Sequence, residues 1–113
     1  MAEAGEELPI LVLVRDLMCS SRISAAARAA GVAIAVLRDP AQVSGARGRR
    51  LIVDLNQPGA LEAATEWKNG SRGDVVGFVS HVDGETIARA RAAGIDRVLP
   101  RSRFVEVLPD LLT

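Results

Sequence analysis

The sequence is poor in several features that common function classes require. Its 113 residues include one cysteine, two phenylalanines, one tryptophan and no tyrosine, and the formal net charge is zero. A single cysteine excludes an internal disulfide and a cysteine-rich metal site, and makes a reducing compartment the default. So few aromatic rings disfavour base stacking and sugar binding. A zero charge balance disfavours nucleic acid and anionic membrane surfaces as partners.

Long apolar runs are also absent. The longest run near the start, residues 8–14, is far shorter than the roughly 20 residues that cross a bilayer. The residues before it are acidic (Glu3, Glu6, Glu7), whereas a secretory leader begins with basic residues. We therefore expect a cytoplasmic protein with no membrane partner, and a mobile end over residues 1–7.

What the sequence does have is enough apolar material for one core. Hydrophobic residues make up 49% of the chain, which excludes disorder throughout its length. A chain of this length fits one domain that buries roughly two-thirds of the surface of its unfolded form. We therefore treat residues 1–113 as a single domain.

Short β-branched apolar runs alternate with helical segments along the chain. Predicted strands cover residues 10–14, 32–37, 51–55, 75–79 and 97–99. Predicted helices cover residues 20–30, 60–68, 84–93 and 104–112, with only a brief helix between residues 40 and 48. Continuous apolar strands are buried on both faces, and strand–helix alternation favours right-handed crossovers and a parallel sheet. The prediction is an α/β, flavodoxin-like (βα)5 three-layer sandwich whose five parallel strands have the order 2-1-3-4-5.

Polar residues that could carry chemistry follow these strands. Ligands of open parallel sheets bind at the carboxyl ends of the strands, where the sequence places Arg15, Asp16, Asp54, Asn56, Ser80, His81 and Arg101. The first, third and fourth strands lie close together in the predicted order, so Asp16, Asp54 and Ser80 should converge. Two carboxylates and a hydroxyl suit Mg²⁺ and phosphate oxygens. Asp16 would serve equally well as the N-terminal cap of the first helix.

This arrangement resembles the response-regulator receiver domain, the CheY-like family, over residues 10–112. The strongest likeness is in residues 51–59, where Asp54 closes a strand and Pro58 follows four residues later. In receivers the phospho-accepting aspartate closes the third strand, and a proline follows it four residues later. Asn56 matches the position that supplies a backbone carbonyl to Mg²⁺.

The resemblance also implies roles for residues outside that run. Asp16 matches the second acid of the family's acidic pair, and Ser80 matches its strand-four hydroxyl. The resemblance therefore implies that Asp54 accepts a phosphoryl group, which Ser80 and Arg101 contact. It implies further that Asp16, Asp54 and the backbone of Asn56 hold Mg²⁺.

Three departures from the family are equally clear. Arg15 replaces the first acid of the pair, and Arg101 follows Pro100 where the family has a lysine before a proline. The predicted fifth strand, residues 97–99, has no aromatic residue to act as the family's rotamer switch. We expect Arg15 either to stay solvated at the end of the strand or to reach Asp16 or Asp54 and weaken the metal site, since a guanidinium can neutralise a carboxylate. These departures indicate an atypical receiver or a pseudo-receiver.

Two functions follow from these observations. The first is a stand-alone receiver-like signalling module that docks a histidine kinase or a downstream effector. It is either regulated by phosphorylation of Asp54 or docks constitutively through the last two helices and the fifth strand, with a homodimer as a further family-level expectation. The alternative is a small flavodoxin-like enzyme or phosphocarrier subunit that uses Cys19 or His81 as its nucleophile. In the first function we expect no enzymatic activity beyond phospho-acceptance.

Overall fold

The computed structural model describes residues 8–71, 73–79 and 84–113. Ser80, His81 and the predicted mobile end, residues 1–7, lie outside the described residues.

The described chain alternates strands and helices in the predicted sequence. The elements are β1 (Ile10–Leu13), α1 (Leu17–Ala30), β2 (Ile34–Leu37), β3 (Arg50–Asp54), α2 (Ala60–Asn69), β4 (Asp74–Val79), α3 (Gly84–Ala92), β5 (Arg97–Pro100) and α4 (Arg101–Leu111). The five strands form one parallel sheet in the order β2-β1-β3-β4-β5. The predicted fold class and strand order are therefore confirmed.

The brief helix predicted between residues 40 and 48 is a single 3₁₀ turn, Pro40–Gln42. Asp39 caps this turn through the Ala41 amide, and Gln42 accepts from the Asp39 amide in return. Such a reciprocal cap satisfies backbone donors locally. The connection from β2 to β3 consequently contains a short turn rather than a longer helix.

Apolar layers cover both faces of the sheet, as continuous apolar strands require. On one face α1 and α4 pack over buried side chains that include Ile10, Ile23, Phe78, Phe104 and Leu108. The rings of Phe78 and Phe104 stack with centroids 4.3 Å apart. On the other face α2 and α3 cover a second buried cluster that includes Leu13, Leu51, Val53, Leu61 and Trp67.

Two helices begin three residues earlier than predicted. The predicted start of α1 at residue 20 was wrong, because Asp16 caps the helix and α1 begins at Leu17. The predicted start of α4 at residue 104 was wrong because extended backbone at Pro100 (φ −68°, ψ 154°) leads directly into the helix at Arg101. The glycine stop predicted for α1 is confirmed at Gly31, whose φ of +71° suits a left-handed C-cap.

No helix in the described part of the chain has both the length and the apolar character needed to cross a membrane.

Candidate functional site

Three of the predicted site residues meet at the carboxyl edge of the sheet. Asp54 is the last residue of β3, Asp16 follows β1 by three residues, and Arg101 is the first residue of α4. The Arg101 guanidinium lies 3.7 Å from Asp16 Oδ2, and both groups act electrostatically on Asp54. The early start of α4 is what brings Arg101 to this edge.

Both carboxylate oxygens of Asp16 are engaged. Asp16 Oδ1 accepts hydrogen bonds from the Met18 and Cys19 amides at 2.8 and 3.3 Å, so Asp16 is the N-cap of α1. Asp16 Oδ2 faces Arg101. The capping function weighed for Asp16 is therefore present, and it fixes the carboxylate at the edge of the site.

Asp54 is half-buried and its charge is poorly compensated. Burial raises the pKa of Asp54 above its ordinary value, and the nearby Asp16 carboxylate adds to that rise. The Asn56 amide, which donates to Asp54 Oδ1 at 3.0 Å, and the Arg101 guanidinium lower the pKa but do not offset the burial. The site therefore favours a neutral Asp54 more than water does.

Arg15 does not pair with Asp16 or Asp54. Its side chain is exposed, and it forms no ion pair with any residue that the structure describes. The guanidinium that reaches Asp16 belongs to Arg101 instead. Of the two predictions for Arg15, the solvated side chain is therefore the one that the structure shows.

The donor set at this edge fits Mg²⁺ poorly. Mg²⁺ requires near-ideal octahedral oxygen coordination, whereas Asp16 Oδ1 holds two amides and Asp16 Oδ2 faces a cation. Within residues 8–71, 73–79 and 84–113, no three acidic, histidine or cysteine side chains cluster as metal ligands. A metal bound to Asp16 Oδ2 would lie beside the Arg101 guanidinium.

Cys19 lies in the core rather than in an open loop. It is buried in the first turn of α1, in the cluster beneath that helix. Burial raises the pKa of the Cys19 thiol, and the Arg101 charge lowers it by less. A nucleophilic cysteine needs the opposite environment, one that is exposed and lowers its pKa. The enzyme or phosphocarrier alternative is therefore not favoured for Cys19.

Gln57 is a buried polar residue that the sequence did not mark. Its Nε2 donates to the Arg38 carbonyl at 2.8 Å, which ties the loop after β3 to the end of β2. Gln57 Oε1 has no hydrogen-bond partner among the described residues. A glutamine between Asn56 and Pro58 is most simply read as an exposed loop residue, so no pattern signalled this burial.

Comparison with known proteins identifies the fold. No family model and no curated protein sequence matches the chain. The phosphorylated cyanobacterial phytochrome response regulator RcpA is similar at a TM-score of 0.78 and 15% identity, over 93% of this chain and 91% of that one. The receiver domain of a putative response regulator, NarL, from Mycobacterium tuberculosis is similar at a TM-score of 0.77 and 13% identity, over 95% and 94%.

A third solved structure has the same fold. A response regulator from Burkholderia pseudomallei, described with a phosphorylated aspartic acid and a calcium ion, is similar at a TM-score of 0.78 and 14% identity, over 95% of this chain and 67% of that one. At such identities the likeness concerns the fold alone. The chain has the fold of a response-regulator receiver domain, as the sequence resemblance implied.

Proposed function

We propose that the protein is a receiver-fold signalling module of the pseudo-receiver kind, which docks a partner protein without Mg²⁺-dependent phosphorylation of Asp54. The observation that carries this proposal is the Arg101 guanidinium 3.7 Å from Asp16 Oδ2. A positive charge held by the protein stands beside the acids that a metal would otherwise bridge. Arg101 therefore compensates the charge of Asp16 with no bound ion.

The second support is the lack of an aromatic switch. Residues 97–100, which form β5, contain no aromatic side chain. Phe78 and Phe104, the nearby rings, are buried and stacked between β4 and α4. Close packing on both sides leaves such rings little freedom to change rotamer. Phosphorylation of Asp54 would thus have no aromatic side chain whose change of rotamer could alter the surface.

The docking surface of this proposal is the face made by α3, β5 and α4. Arg97 and Pro100 are exposed there, and Val98 and Leu99 are half-buried. This mixture of charged and apolar groups suits a reversible protein contact. The partner is a histidine kinase or a downstream effector, and a homodimer would use the same face.

The competing version is an active receiver. In that version Asp54 Oδ attacks the phosphorus of a phosphohistidine, the bond from phosphorus to the histidine nitrogen breaks, and the kinase histidine leaves. Asp16, Asp54 and the Asn56 backbone would hold a weakly bound Mg²⁺, and Ser80 and Arg101 would contact the phosphoryl oxygens. The Arg101 guanidinium opposes this version, because a metal held by Asp16 would lie beside a positive charge.

One experiment separates the versions. The protein is incubated with a small phosphodonor, or with beryllofluoride, in millimolar Mg²⁺, and its intact mass and amide chemical shifts are recorded. We expect neither an adduct nor shifts near Asp54. An adduct that Asp54→Asn abolishes, and that the control Asp74→Asn retains, would establish the active receiver. An adduct that survives Asp54→Asn but not Cys19→Ser would establish the alternative nucleophile.

A further inference from the structure

An apolar patch lies exposed along the outer flank of α1, at the β2 edge of the sheet. Leu17, Met18 and Val36 are 57%, 80% and 38% exposed, and they are the large apolar side chains that stand exposed among the described residues. Leu17 and Val36 line a surface groove of about 380 Å³ between α1 and β2. Apolar side chains that cluster in this way mark interaction surfaces more often than isolated ones do.

Small side chains of α1 leave room in this groove. Ser21, Ser24 and Ala25 lie along the helix face that borders it, and Ser20 is buried beneath them. The Ser20 hydroxyl donates to the Leu17 carbonyl at 3.2 Å, so it is satisfied within the helix. The groove therefore presents both apolar side chains and hydroxyl groups.

The rim of the groove is positively charged. Arg28 and Arg38 line it. Arg22 is not among the lining residues and lies next to Met18, four residues further along α1. No described residue forms an ion pair with any of these three arginines.

The acids nearest to these arginines in sequence are Asp16 and Asp39. Asp16 caps α1 and faces Arg101, and the Asp39 side chain caps the turn Pro40–Gln42. The exposed apolar side chains thus lie close to arginines that form no ion pair with a described residue.

We propose that the groove between α1 and β2 binds an acidic segment of a partner protein that carries apolar anchor residues. Acidic side chains complement the arginine rim, and apolar anchors complement Leu17 and Val36. A nucleic acid would use the arginines but leave Leu17 and Val36 uncovered, so a protein segment fits better. This surface lies at the β2 edge, whereas the face of α3, β5 and α4 lies at the β5 edge. The module therefore has two separate docking surfaces, and this inference does not depend on the state of Asp54.

A designed peptide of alternating glutamate and leucine tests the proposal, with a matched peptide in which glutamine replaces glutamate. Binding is followed by fluorescence anisotropy and by amide chemical shifts. We expect the acidic peptide to bind, to weaken with added salt, and to shift residues 17–28 and 34–38. The double substitution Arg28→Glu with Arg38→Glu should weaken binding by about tenfold, since it reverses two rim charges. Val36→Ser should weaken binding several-fold, because it removes the apolar contact.

The control variant is Arg91→Glu, which reverses an exposed charge on α3 and should leave binding unchanged. All four substitutions are at exposed positions, and circular dichroism verifies that the variants fold. Equal binding of the two peptides, or an equal loss in Arg91→Glu, would overturn the proposal. An oligonucleotide that shifts the same residues more strongly than the acidic peptide would also overturn it, by assigning the surface to nucleic acid.

Discussion

An arginine and an aspartate meet at each end of the sheet, and the two pairs are held differently. At the amino end Arg50 Nε donates to Asp74 Oδ1 at 2.9 Å, and Arg50 Nη1 donates to the Leu111 carbonyl at 2.7 Å. At the carboxyl end Arg101 Nη2 lies 3.7 Å from Asp16 Oδ2, too far for a hydrogen bond. The Arg50 side chain is 22% exposed and that of Arg101 is 38% exposed.

The Arg50–Asp74 pair stabilises the fold, whereas the Arg101–Asp16 pair is free to rearrange. Arg50 joins β3, β4 and the end of α4, and Arg49 adds a bond to the Thr113 carbonyl at 2.8 Å. A guanidinium held by several hydrogen bonds fixes the geometry around it. Arg101 has a single long contact, so it can turn toward another anion at little expense in folding free energy.

The largest expected effect comes from removing each arginine in turn. Arg50→Met should lower the free energy of unfolding by about 2 kcal/mol, because the Leu111 carbonyl and Asp74 both lose their donor. Arg101→Met should change it by less than about 0.5 kcal/mol. Urea unfolding of both variants measures the two values. Equal losses would mean that the carboxyl-end pair is also structural.

Two substitutions of Asp16 separate its capping role from its ion pair. Asp16→Ala should lower the free energy of unfolding by about 1 kcal/mol, because the N-cap of α1 is lost. Asp16→Asn keeps an oxygen for the Met18 and Cys19 amides and removes only the attraction to Arg101, so the loss should stay below about 0.5 kcal/mol. Thermal unfolding checks both variants. A loss in Asp16→Asn as large as that in Asp16→Ala would show that the ion pair stabilises the fold more than the cap does.

Asp54 and Asp96 should affect the pH dependence of stability in opposite directions, because ionisation of Asp54 destabilises the fold and ionisation of Asp96 stabilises it. Folding raises the pKa of Asp54, so its ionisation destabilises the protein. Stability is lost as the pH rises from the ordinary pKa of an aspartate through the raised pKa of Asp54. Asp54→Asn should therefore increase the free energy of unfolding at neutral pH.

Asp96 provides the control of opposite sign. Burial pushes the pKa of Asp96 up, but hydrogen bonds from Lys68 and from the Val75 amide hold it below its ordinary value. The stability that Asp96 contributes is fully present above the ordinary pKa of an aspartate. It is lost as the pH falls through the lowered pKa of Asp96. Asp96→Asn should therefore decrease stability at neutral pH. Unfolding curves between acidic and neutral pH test both residues, and a decrease in Asp54→Asn would contradict the unfavourable burial of that charge.

Much of the fold was predictable because the apolar pattern determines it locally. The buried runs that became β1, β3 and β4 are short and β-branched, and the glycine at position 31 ended α1 as expected. Each of these signals acts over a few residues. The placement of Asp54 at the end of β3 follows from the same pattern, since the apolar run stops there.

The partner of Asp16 could not be predicted in the same way. Arg15 is its neighbour in sequence, but the guanidinium that reaches Asp16 comes from Arg101, far along the chain. That contact depends on the start of α4, which moved by three residues once Pro100 led directly into the helix. Gln57 was missed for a similar reason, since its burial depends on the Arg38 carbonyl across the end of the sheet.

A titration with Mg²⁺, followed at the amide signals of residues 15–19 and 53–57, tests most directly whether Arg101 takes the place of a metal at the acidic edge. We predict no saturable shift of these signals in the native protein at millimolar Mg²⁺. A saturable shift should appear in Arg101→Met, where Asp16 loses the guanidinium that faces it. A saturable shift in the native protein that Asp54→Asn abolishes would contradict the pseudo-receiver proposal and favour an active receiver.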